Sequence, residues 1–409
     1  MVESKLGGSD RYVARGERLG PGEALPDRER VQAFLAAVLQ SEHLNVLVGS
    51  GLTTGLAKAA EADAVDMSSR VCTGDDDLDG KIEAAAEQSA KQMGRGSANV
   101  EDRLRVAIAI RDGLELAGEA RAQDVASAVE ETLDVLCRGI TSCEAGILHG
   151  NSAAKDLAVS FLSTLCARVP TRDRVHIFTT NYDRAIEWSA DEAGLRIIDR
   201  FVGTLQPQFR SSRLEVDYHY SPPGTVREPR HLDGVFRLTK LHGSLDWRWD
   251  DVQRLVFRDP APFGGATLGP MSGTLIFPQA AKDHETTVFP YADLFRDFSA
   301  AICRPNSSLV TYGYGFGDDH INRAIEDMLT IASTHVTVLS FDDASGRVTS
   351  FLQRHLDSGQ VSLLQGPTFA ALGSLTRDWL PRLATDVLGR KQVDLLRSTS
   401  FPPGADRVQ

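Results

Sequence analysis

Hydrophobic residues in this chain occur mostly in short continuous runs rather than in alternation with polar residues. Runs of strand length are found at Leu44 to Val48, Val175 to Thr179, Leu195 to Phe201, Val235 to Leu241, Thr274 to Phe277, Ser308 to Tyr312 and Val336 to Phe341. Continuous apolar strands are typical of a parallel sheet whose two faces are both covered by helices. Helical spacing separates some of the runs, as in Tyr291 to Cys303 and Ile321 to Ile331. The pattern therefore predicts an α/β fold.

A different pattern fills the long interval between the first two predicted strands. Apolar residues recur there every three or four positions, in stripes that begin at Val106, Val125 and Leu157, which is the spacing of amphipathic helices. We therefore expect a large helical subdomain inserted into the sheet topology. The predicted division is a flexible N-terminal arm at 1–32, a Rossmann-like sheet domain at 33–55 and 173–390, a helical insertion at 56–172, and a polar C-terminal tail at 391–409. Gly74 to Asp79 is expected to be an acidic loop, and Gln206 to Asp233 a surface excursion.

Charge and composition narrow the functional classes. The 409 residues include 44 Lys and Arg against 56 Asp and Glu, which gives a net charge of -12. This excess of negative charge argues against a broad surface for nucleic acid, because such a surface needs many phosphate-binding cations. No apolar run reaches the length of a signal peptide or a membrane span, and the five cysteines include no C-x-x-C pair. We therefore expect a cytoplasmic protein that binds neither a membrane nor nucleic acid directly.

Two glycine-rich segments follow predicted strands and precede predicted helices. The first is Gly49 to Gly55, and the second is Gly313 to Asp319. Glycines let a backbone turn tightly and approach a pyrophosphate, whose charge is favoured by the N-terminus of the following helix. The alternative is an ordinary strand-to-helix turn, in which Asp318 or Asp319 caps the second helix. The spacing of the glycines does not decide between the two.

Polar side chains follow three other predicted strands. Thr179 to Asp183 reads T-T-N-Y-D directly after an apolar run, and ligands of open α/β sheets bind beyond the carboxyl ends of strands. Asn181 or Asp183 can equally cap the next helix. His242, which precedes a glycine at the end of another run, can act as a base near neutral pH, although a lone histidine is more often structural. Asp342 follows a third run, where a carboxylate can accept hydrogen bonds from a ribose.

The order of these segments along the chain resembles the sirtuin family, in particular its divergent bacterial branch found in anti-phage defence. In sirtuins, as here, a glycine-rich turn is followed by a T-x-N-x-D motif, an H-G pair and a second glycine-rich turn. The resemblance covers Leu44 to Val48 and Val175 to Asp343. It implies a sirtuin-like Rossmann fold that binds NAD at the carboxyl edge of its sheet.

The resemblance also implies roles for the residues at matching positions. Asn181, Asp183 and His242 would be catalytic, with His242 as the general base. Together with the arguments on turns and strand ends, it gives the following predicted contacts with NAD: Gly49, Ser50, Gly51, Thr53, Thr180, Tyr182, Gly313, Gly315, Phe316 and Asp342.

The sequence departs from zinc-dependent sirtuins in three places. Those proteins carry four zinc-binding cysteines after the H-G pair, whereas Gly243 to Ile302 contains no cysteine, so we expect no zinc ribbon and no metal site. Leu52 to Ala60 lacks the family's proline-aspartate-phenylalanine-arginine segment, and Gly315 stands where a serine is usual. These departures argue against protein deacylation but leave cleavage of the nicotinamide bond possible.

The resemblance therefore implies an NAD glycohydrolase, which converts its substrate NAD to nicotinamide and ADP-ribose and depletes NAD in anti-phage defence. It further implies a homo-oligomer that is regulated by a HerA-type ATPase partner. Two alternatives remain open at this point. One is a catalytically silent subunit that senses NAD or ADP-ribose, and the other is a zinc-free deacylase or ADP-ribosyltransferase.

Overall fold

A computed structural model describes residues 5–14, 16–94, 96–169, 171–212, 216–220, 230–250, 252–265, 274–276, 289–355 and 358–381. The strands are β1 (Arg11–Ala14), β2 (Glu17–Leu19), β3 (His43–Val48), β4 (His176–Thr179), β5 (Arg196–Ile198), β6 (Phe201–Val202), β7 (Gln208–Phe209), β8 (His219–Tyr220), β9 (Arg230–His231), β10 (Val235–Lys240), β11 (Gly243–Asp250), β12 (Leu255–Arg258), β13 (Thr274–Ile276), β14 (Ser307–Tyr312), β15 (His335–Ser340) and β16 (Val361–Gln365). The helices of eight or more residues are α1 (Arg28–Leu39), α2 (Gly51–Ala60), α3 (Asp76–Gln92), α4 (Val100–Leu116), α5 (Arg121–His149), α6 (Ala153–Cys166), α7 (Ala185–Ala193), α8 (Tyr291–Ile302), α9 (Asp319–Leu329) and α10 (Arg347–His355).

The main sheet has the strand order β2-β1-β16-β15-β14-β3-β4-β10-β5. The strands from β16 to β5 in this order all run parallel to one another. Both faces are apolar: Val46 and Val48 of β3 pack in the core formed with α1, α2, α6 and α7, whereas Leu47 packs in the core formed with α8, α9 and α10. The predicted α/β fold with a parallel, Rossmann-like sheet is thus confirmed, and its carboxyl edge is where the predicted motifs lie.

The N-terminal residues differ from the predicted flexible arm. β1 pairs antiparallel with β16, and β2 pairs with β1, so both extend the main sheet. Tyr12 and Ala14 are buried, whereas Arg11 and Val13 are only partly buried. This alternation is typical of a strand with one buried face, and four residues of it are too few to stand out in the sequence.

The helices between β3 and β4 pack in two places. α2 and α6 cover the main sheet, because their apolar residues belong to its core. α3, α4 and α5, which we call the helical module, build a separate core around Ile82, Leu104 and Val129. Gly74 to Asp79 is not wholly a loop: Asp75 caps α3, and three aspartates occupy its first turn, where negative charge is favourable.

A second, antiparallel sheet has the order β13-β11-β12-β7-β6. Its strands β6 and β7 precede β10, and its longest strand, β11, follows β10 directly, where Gly243 has a φ of 83° that lets the chain turn from β10 into β11. Residues 206–233, predicted as a surface excursion, contain β7, β8 and β9. The predicted tail at 391–409, residues 382–390 of the predicted sheet domain and Phe277 of a predicted strand lie outside the described residues. In the described part of the chain, no helix is both long and apolar enough to cross a membrane.

Candidate active site

A cavity of about 410 Å³ lies at the carboxyl edge of the main sheet, where β3, β4, β10 and β14 end. Its residues from the sheet side include Gly49, Ser50, Thr53, Thr180, Asn181, Tyr182, Asp183, His242, Gly313, Gly315 and Asp318. The helical module adds Asn99, Glu101, Asp102, Arg105 and Ile140. The volume is within the usual range of small-molecule sites. The structure therefore brings Asn181 and His242 to one cavity, beside the first glycine turn.

The two glycine-rich turns pack against each other, backbone to backbone. A Cβ atom on Gly49 would lie 2.4 Å from the carbonyl oxygen of Gly313, and one on Gly51 would lie 2.5 Å from its Cα atom. Gly313 has a φ of 60°, a left-handed conformation that favours glycine. The Gly51 amide donates a hydrogen bond to the Gly313 carbonyl at 3.2 Å. Close packing thus accounts for these glycines without a ligand, and their contact with a pyrophosphate stays a prediction.

The N-terminus of α2 opens at the same cavity. Ser50, which precedes the helix, is exposed, and its side chain makes no capping hydrogen bond. The first turn of a helix carries partial positive charge from its aligned peptide dipoles, although the Gly51 and Leu52 amides already donate to the carbonyl oxygens of Gly313 and Gly49. This end of α2 is therefore suited to an anionic part of a ligand.

Asn181 is held by two hydrogen bonds from its side-chain nitrogen. Nδ2 donates to the carbonyl oxygen of Gly49 at 3.0 Å and to the hydroxyl of Thr53 at 3.1 Å. The backbone amide of Asn181 donates to the Thr179 hydroxyl at 3.0 Å. Among the described residues, none donates to the side-chain oxygen of Asn181. Asn181 thus offers the cavity an oriented acceptor for a water or a ribose hydroxyl.

Asp183 is bound by the protein through both carboxylate oxygens. One accepts from the Thr53 hydroxyl at 2.6 Å, and the other accepts from the Ala185 amide at 3.0 Å, at the start of α7. The buried Lys240 ammonium donates to the Asp183 carbonyl at 2.5 Å. These contacts agree with the capping alternative and make Asp183 a positioning residue for Asn181, through Thr53. A direct contact of its carboxylate with the substrate stays a prediction.

His242 is paired with a carboxylate that the sequence identified only as a helix cap. Its Nε2 atom lies 3.0 Å from Oδ2 of Asp318. Oδ1 of Asp318 accepts from the amides of His320 and Ile321, at 2.9 and 3.3 Å. Asp318 therefore caps α9 and orients the imidazole at the same time. An imidazole that donates through Nε2 carries its lone pair on Nδ1, which is then the nitrogen able to take up a proton.

The helical module contacts the T-T-N-Y-D segment through Tyr182 and the residue that follows the segment, Arg184. The Tyr182 hydroxyl donates to Glu101 of α4 at 2.9 Å. Arg184 forms an ion pair with Glu144 of α5 at 2.5 Å, and the two side chains are only 5% and 0% exposed. Sequence reasoning missed Glu101 and Glu144, because nothing distinguishes them from other polar positions of a helix.

Arg347, the first residue of α10, connects the second glycine turn to the helical module. Its Nε atom donates to the Gly315 carbonyl at 2.5 Å, and its Nη1 atom donates to the Gly94 carbonyl at 3.0 Å. Arg347 and Arg105 both line the cavity. Guanidinium groups bind phosphate oxygens well, so these two side chains are candidates for holding a pyrophosphate. No motif in the sequence marks either of them.

Three predicted NAD contacts do not line the cavity: Gly51, which packs against Gly313 as described above, and the side chains of Phe316 and Asp342. Phe316 is buried and stacks on Phe351 with ring centroids 4.6 Å apart. It borders a larger groove of about 1380 Å³ between the helical module and α9 and α10, which contains none of the predicted catalytic residues. Asp342 is exposed, and its carboxylate accepts from the Ala344 amide at 2.8 Å. Core packing and a local turn thus engage these two side chains outside the cavity.

Within the described residues, no group of three or more His, Cys, Asp or Glu side chains is arranged to hold a metal ion. The described lining of the cavity also contains no cysteine. Burial raises the pKa of the Cys143 thiol to about 11 and that of Cys137 to about 12. These two thiols therefore stay protonated at neutral pH and supply no nucleophile.

Comparison with known families points to the same part of the chain. A family model described as a SIR2-like domain matches residues 175–356. The matched range contains Asn181, Asp183, His242 and the second glycine turn, whereas the first glycine turn precedes it. The match covers less than half of the chain and supports a sirtuin-like family, and such a domain implies an enzyme activity that uses NAD. No curated protein matches the sequence.

Proposed function

We propose that this chain is an NAD glycohydrolase, which uses water to cleave the bond between nicotinamide and ribose. The observation that carries the proposal is the convergence of Asn181 and His242 on one cavity beside the first glycine turn. Helix capping alone does not require an oriented amide oxygen and an imidazole–carboxylate pair to border the same cavity. The SIR2-like match of the surrounding residues supports NAD as the substrate.

The chain's own groups suffice for the proposed chemistry. Nicotinamide leaves with both electrons of the C–N bond, and the ribose carbon passes through an oxocarbenium-like state. Water adds to that carbon through its oxygen, while the side-chain oxygen of Asn181 accepts one of its hydrogens. Nδ1 of His242 takes up the proton that the water loses. Asp318 stabilises the resulting imidazolium, which returns the proton to solvent after ADP-ribose has left.

The described lining of the cavity contains two arginines and four carboxylates, and Arg105 pairs with one of these carboxylates, Asp102, at 3.1 Å. The pyrophosphate of NAD carries negative charge, and the cavity provides the N-terminus of α2 together with Arg105 and Arg347. In our proposal these groups hold the pyrophosphate, so that the ribose lies between Asn181 and His242. Fixing the ribose in this way contributes to the rate by positioning.

The test is release of nicotinamide and ADP-ribose from NAD by the purified full chain, followed by chromatography. We expect both products in equal amounts from the wild type and their loss in Asn181→Ala and His242→Ala, with unchanged circular dichroism. His149→Ala, which removes an exposed histidine at the end of α5, is the matched control and should retain turnover. Equal turnover in the wild type and both cavity variants would refute the proposal.

The same assay separates the alternative functions. Binding of NAD with no product, also in the presence of a HerA-type partner, would favour the sensing subunit. Formation of O-acyl-ADP-ribose from an acylated peptide would favour a zinc-free deacylase, and transfer of ADP-ribose to protein would favour a transferase.

On the resemblance alone, we further propose that the activity depletes NAD in anti-phage defence within a homo-oligomer that a HerA-type ATPase regulates. An enzyme that consumes NAD without control would harm its own cell, so its activity needs a gate. The measurement is cellular NAD during phage infection, with both proteins expressed and Asn181→Ala as the control. An unchanged NAD level in cells with the wild-type pair would contradict this role.

A further inference from the structure

A second enclosed space, of about 550 Å³, lies at the opposite, amino edge of the main sheet. It is bordered by the first residues of β3 and β4, by β10 and by the end of α8. We call it the arginine cavity, because five arginines line it: Arg174, Arg200, Arg237, Arg296 and Arg304. The proposed NAD chemistry uses none of these residues.

Positive charge exceeds negative charge in the arginine cavity. Its described lining contains the five arginines but only three aspartates, which are Asp173, Asp217 and Asp297. The guanidinium charges therefore exceed the lining carboxylates by two, and still by one when Asp293, which pairs with Arg296, is counted. The chain as a whole has the opposite balance, with a net charge of -12.

Three of the five arginines belong to structural ion pairs with largely buried groups. Arg174 and Arg237 share one carboxylate, that of Asp217. Arg200 makes two hydrogen bonds with Asp297, at 2.7 and 2.5 Å. Because one aspartate neutralises only one of the two arginines that share it, these pairs leave an excess of positive charge in the cavity. They also fix the walls of the cavity.

The other two arginines border the cavity from α8 and from the residues after it. The side chains of Arg296 and Arg304 are 65% and 55% exposed. Arg296 pairs with Asp293, one turn earlier in the helix. Arg304 lies 3.5 Å from an oxygen of Asp173, which is also bound by the His43 imidazole at 2.6 Å. Exposed pairs of this kind are weak, so both guanidinium groups can turn to a stronger anion.

The environment of His176 shows the effect of this charge. Burial lowers the pKa of His176 well below its ordinary value, and the nearby arginines Arg237, Arg304 and Arg200 lower it further. One carbonyl at the C-terminal end of α8, an end that would repel an anion, is already hydrogen-bonded. The Ala301 oxygen accepts from the Asn45 and Ser307 side chains, at 3.3 Å each.

We propose that the arginine cavity binds a small phosphate-bearing anion, which Arg296 and Arg304 contact directly. Guanidinium groups match phosphate oxygens in geometry and charge. A partly enclosed space lined by fixed ion pairs strengthens such contacts relative to open solvent. The shared chemistry is a phosphate dianion, which either free phosphate or the phosphate monoester of a small sugar supplies.

The test is titration calorimetry of the purified full chain with inorganic phosphate and, separately, with ribose 5-phosphate. We expect one site for at least one of the probes and about tenfold weaker binding in both Arg296→Ala and Arg304→Ala, which a loss of about 1.4 kcal/mol produces. The matched control is Arg354→Ala. Arg354 is 56% exposed, pairs with Glu326 at 3.0 Å and borders the larger groove instead.

The two probes and the control decide the outcome. Tighter binding of ribose 5-phosphate supports a phosphate monoester as the ligand, and tighter or equal binding of inorganic phosphate supports free phosphate. Absence of binding by both probes would overturn the proposal. An equal loss of affinity in Arg354→Ala, or no loss in Arg296→Ala and Arg304→Ala, would overturn it too. None of these readouts requires NAD turnover, so a failure of the proposed activity leaves this test unaffected.

Discussion

The two edges of the main sheet use the same strands but hold their polar groups in different ways. At the carboxyl edge, β3, β4 and β10 lead into Gly49, Asn181 and His242. Gly49 is fixed by backbone packing, the Asn181 side chain by two hydrogen bonds, and His242 by its pair with Asp318. At the amino edge, the same strands are bordered by arginine–aspartate pairs such as that of Arg174 and Asp217. The difference lies in what the protein's own contacts leave for a ligand: the hydrogen bonds of Asn181 orient its side-chain oxygen as an acceptor, whereas the arginine–aspartate pairs neutralise charge on both partners.

The largest effect that we predict from comparing the two edges of the sheet is a change in the rate of NAD cleavage. We expect His242→Ala to lower kcat by about 100-fold or more, because a general base contributes on that order. Arg172→Ala, which removes an exposed arginine near the amino edge and outside the arginine cavity, should change kcat by less than about twofold, as surface substitutions do. Initial rates of nicotinamide release measure both. A similar fall in the two variants would remove the proposed distinction between the edges.

The next effect is on stability and concerns the packing of the glycine turns. Gly313→Ala should lower the free energy of unfolding by about 1–3 kcal/mol, because its left-handed backbone and the contact with Gly51 both oppose a side chain. Gly80 in α3 has nothing within 4 Å of an added Cβ, so Gly80→Ala should stabilise the protein by about 0.5–1 kcal/mol. Urea unfolding measures both values. If Gly313→Ala and Gly80→Ala changed the free energy of unfolding in the same direction, this account of the glycine turns would be contradicted.

A smaller effect is expected from separating the two roles of Asp318. Asparagine also caps helices well, so Asp318→Asn should keep α9 but weaken the orientation and charge stabilisation of His242. We expect kcat to fall about tenfold with KM for NAD and the free energy of unfolding nearly unchanged. Asp318→Glu should recover part of the rate. A rise in KM with unchanged kcat would mean that Asp318 only shapes the binding site.

The smallest predicted effect is on the pH dependence of stability, through His176 at the amino edge of the sheet. Burial lowers the pKa of His176 in the folded protein, whereas the unfolded chain takes up a proton below about pH 6.5. The unfolded state therefore binds more protons in that range, so the contribution of His176 to stability is present above about pH 6.5 and is lost as pH falls. Between pH 7.5 and 5.5, we expect the wild type to lose up to about 1.4 kcal/mol more than His176→Gln.

The control for this prediction is the exposed His149. Glutamine at position 176 can still reach the Thr239 hydroxyl, which bonds the imidazole at 2.8 Å, so the variant should fold. His149→Gln should show the same pH dependence as the wild type. If His176→Gln also matches the wild type in urea unfolding at both pH values, the buried imidazole does not carry this effect.

The strands of the main sheet were predictable where both faces of a strand are buried. β3, β14 and β15 agree with their continuous apolar runs within one residue at each end. β1 and β2 were missed because they are only 4 and 3 residues long, and β16 was missed because Ser362 and Gln365 interrupt its apolar character although both are buried. Hydrophobic periodicity and composition identify a strand only when the neighbouring elements bury all of its residues in the same way.

The candidate site was predictable only on the sheet side. Asn181, Asp183 and His242 were identified because each belongs to a short motif at a strand end. Arg105 and Arg347 were not, because their positions depend on how the helical module and α10 pack over the strand ends. The local sequence also did not reveal that Asp183 is bound through both oxygens or that Asp342 closes a turn, since those partners become neighbours only in the folded chain.

Arg184 lies inside the range that matches a SIR2-like domain, but the carboxylate that neutralises it belongs to Glu144, outside that range. A shortened protein that keeps only residues 175–356 would lose this carboxylate, and it would also lose β3, which lies between β14 and β4 in the main sheet. We therefore expect such a protein not to fold on its own, so limits drawn from family similarity do not coincide with limits of independent folding.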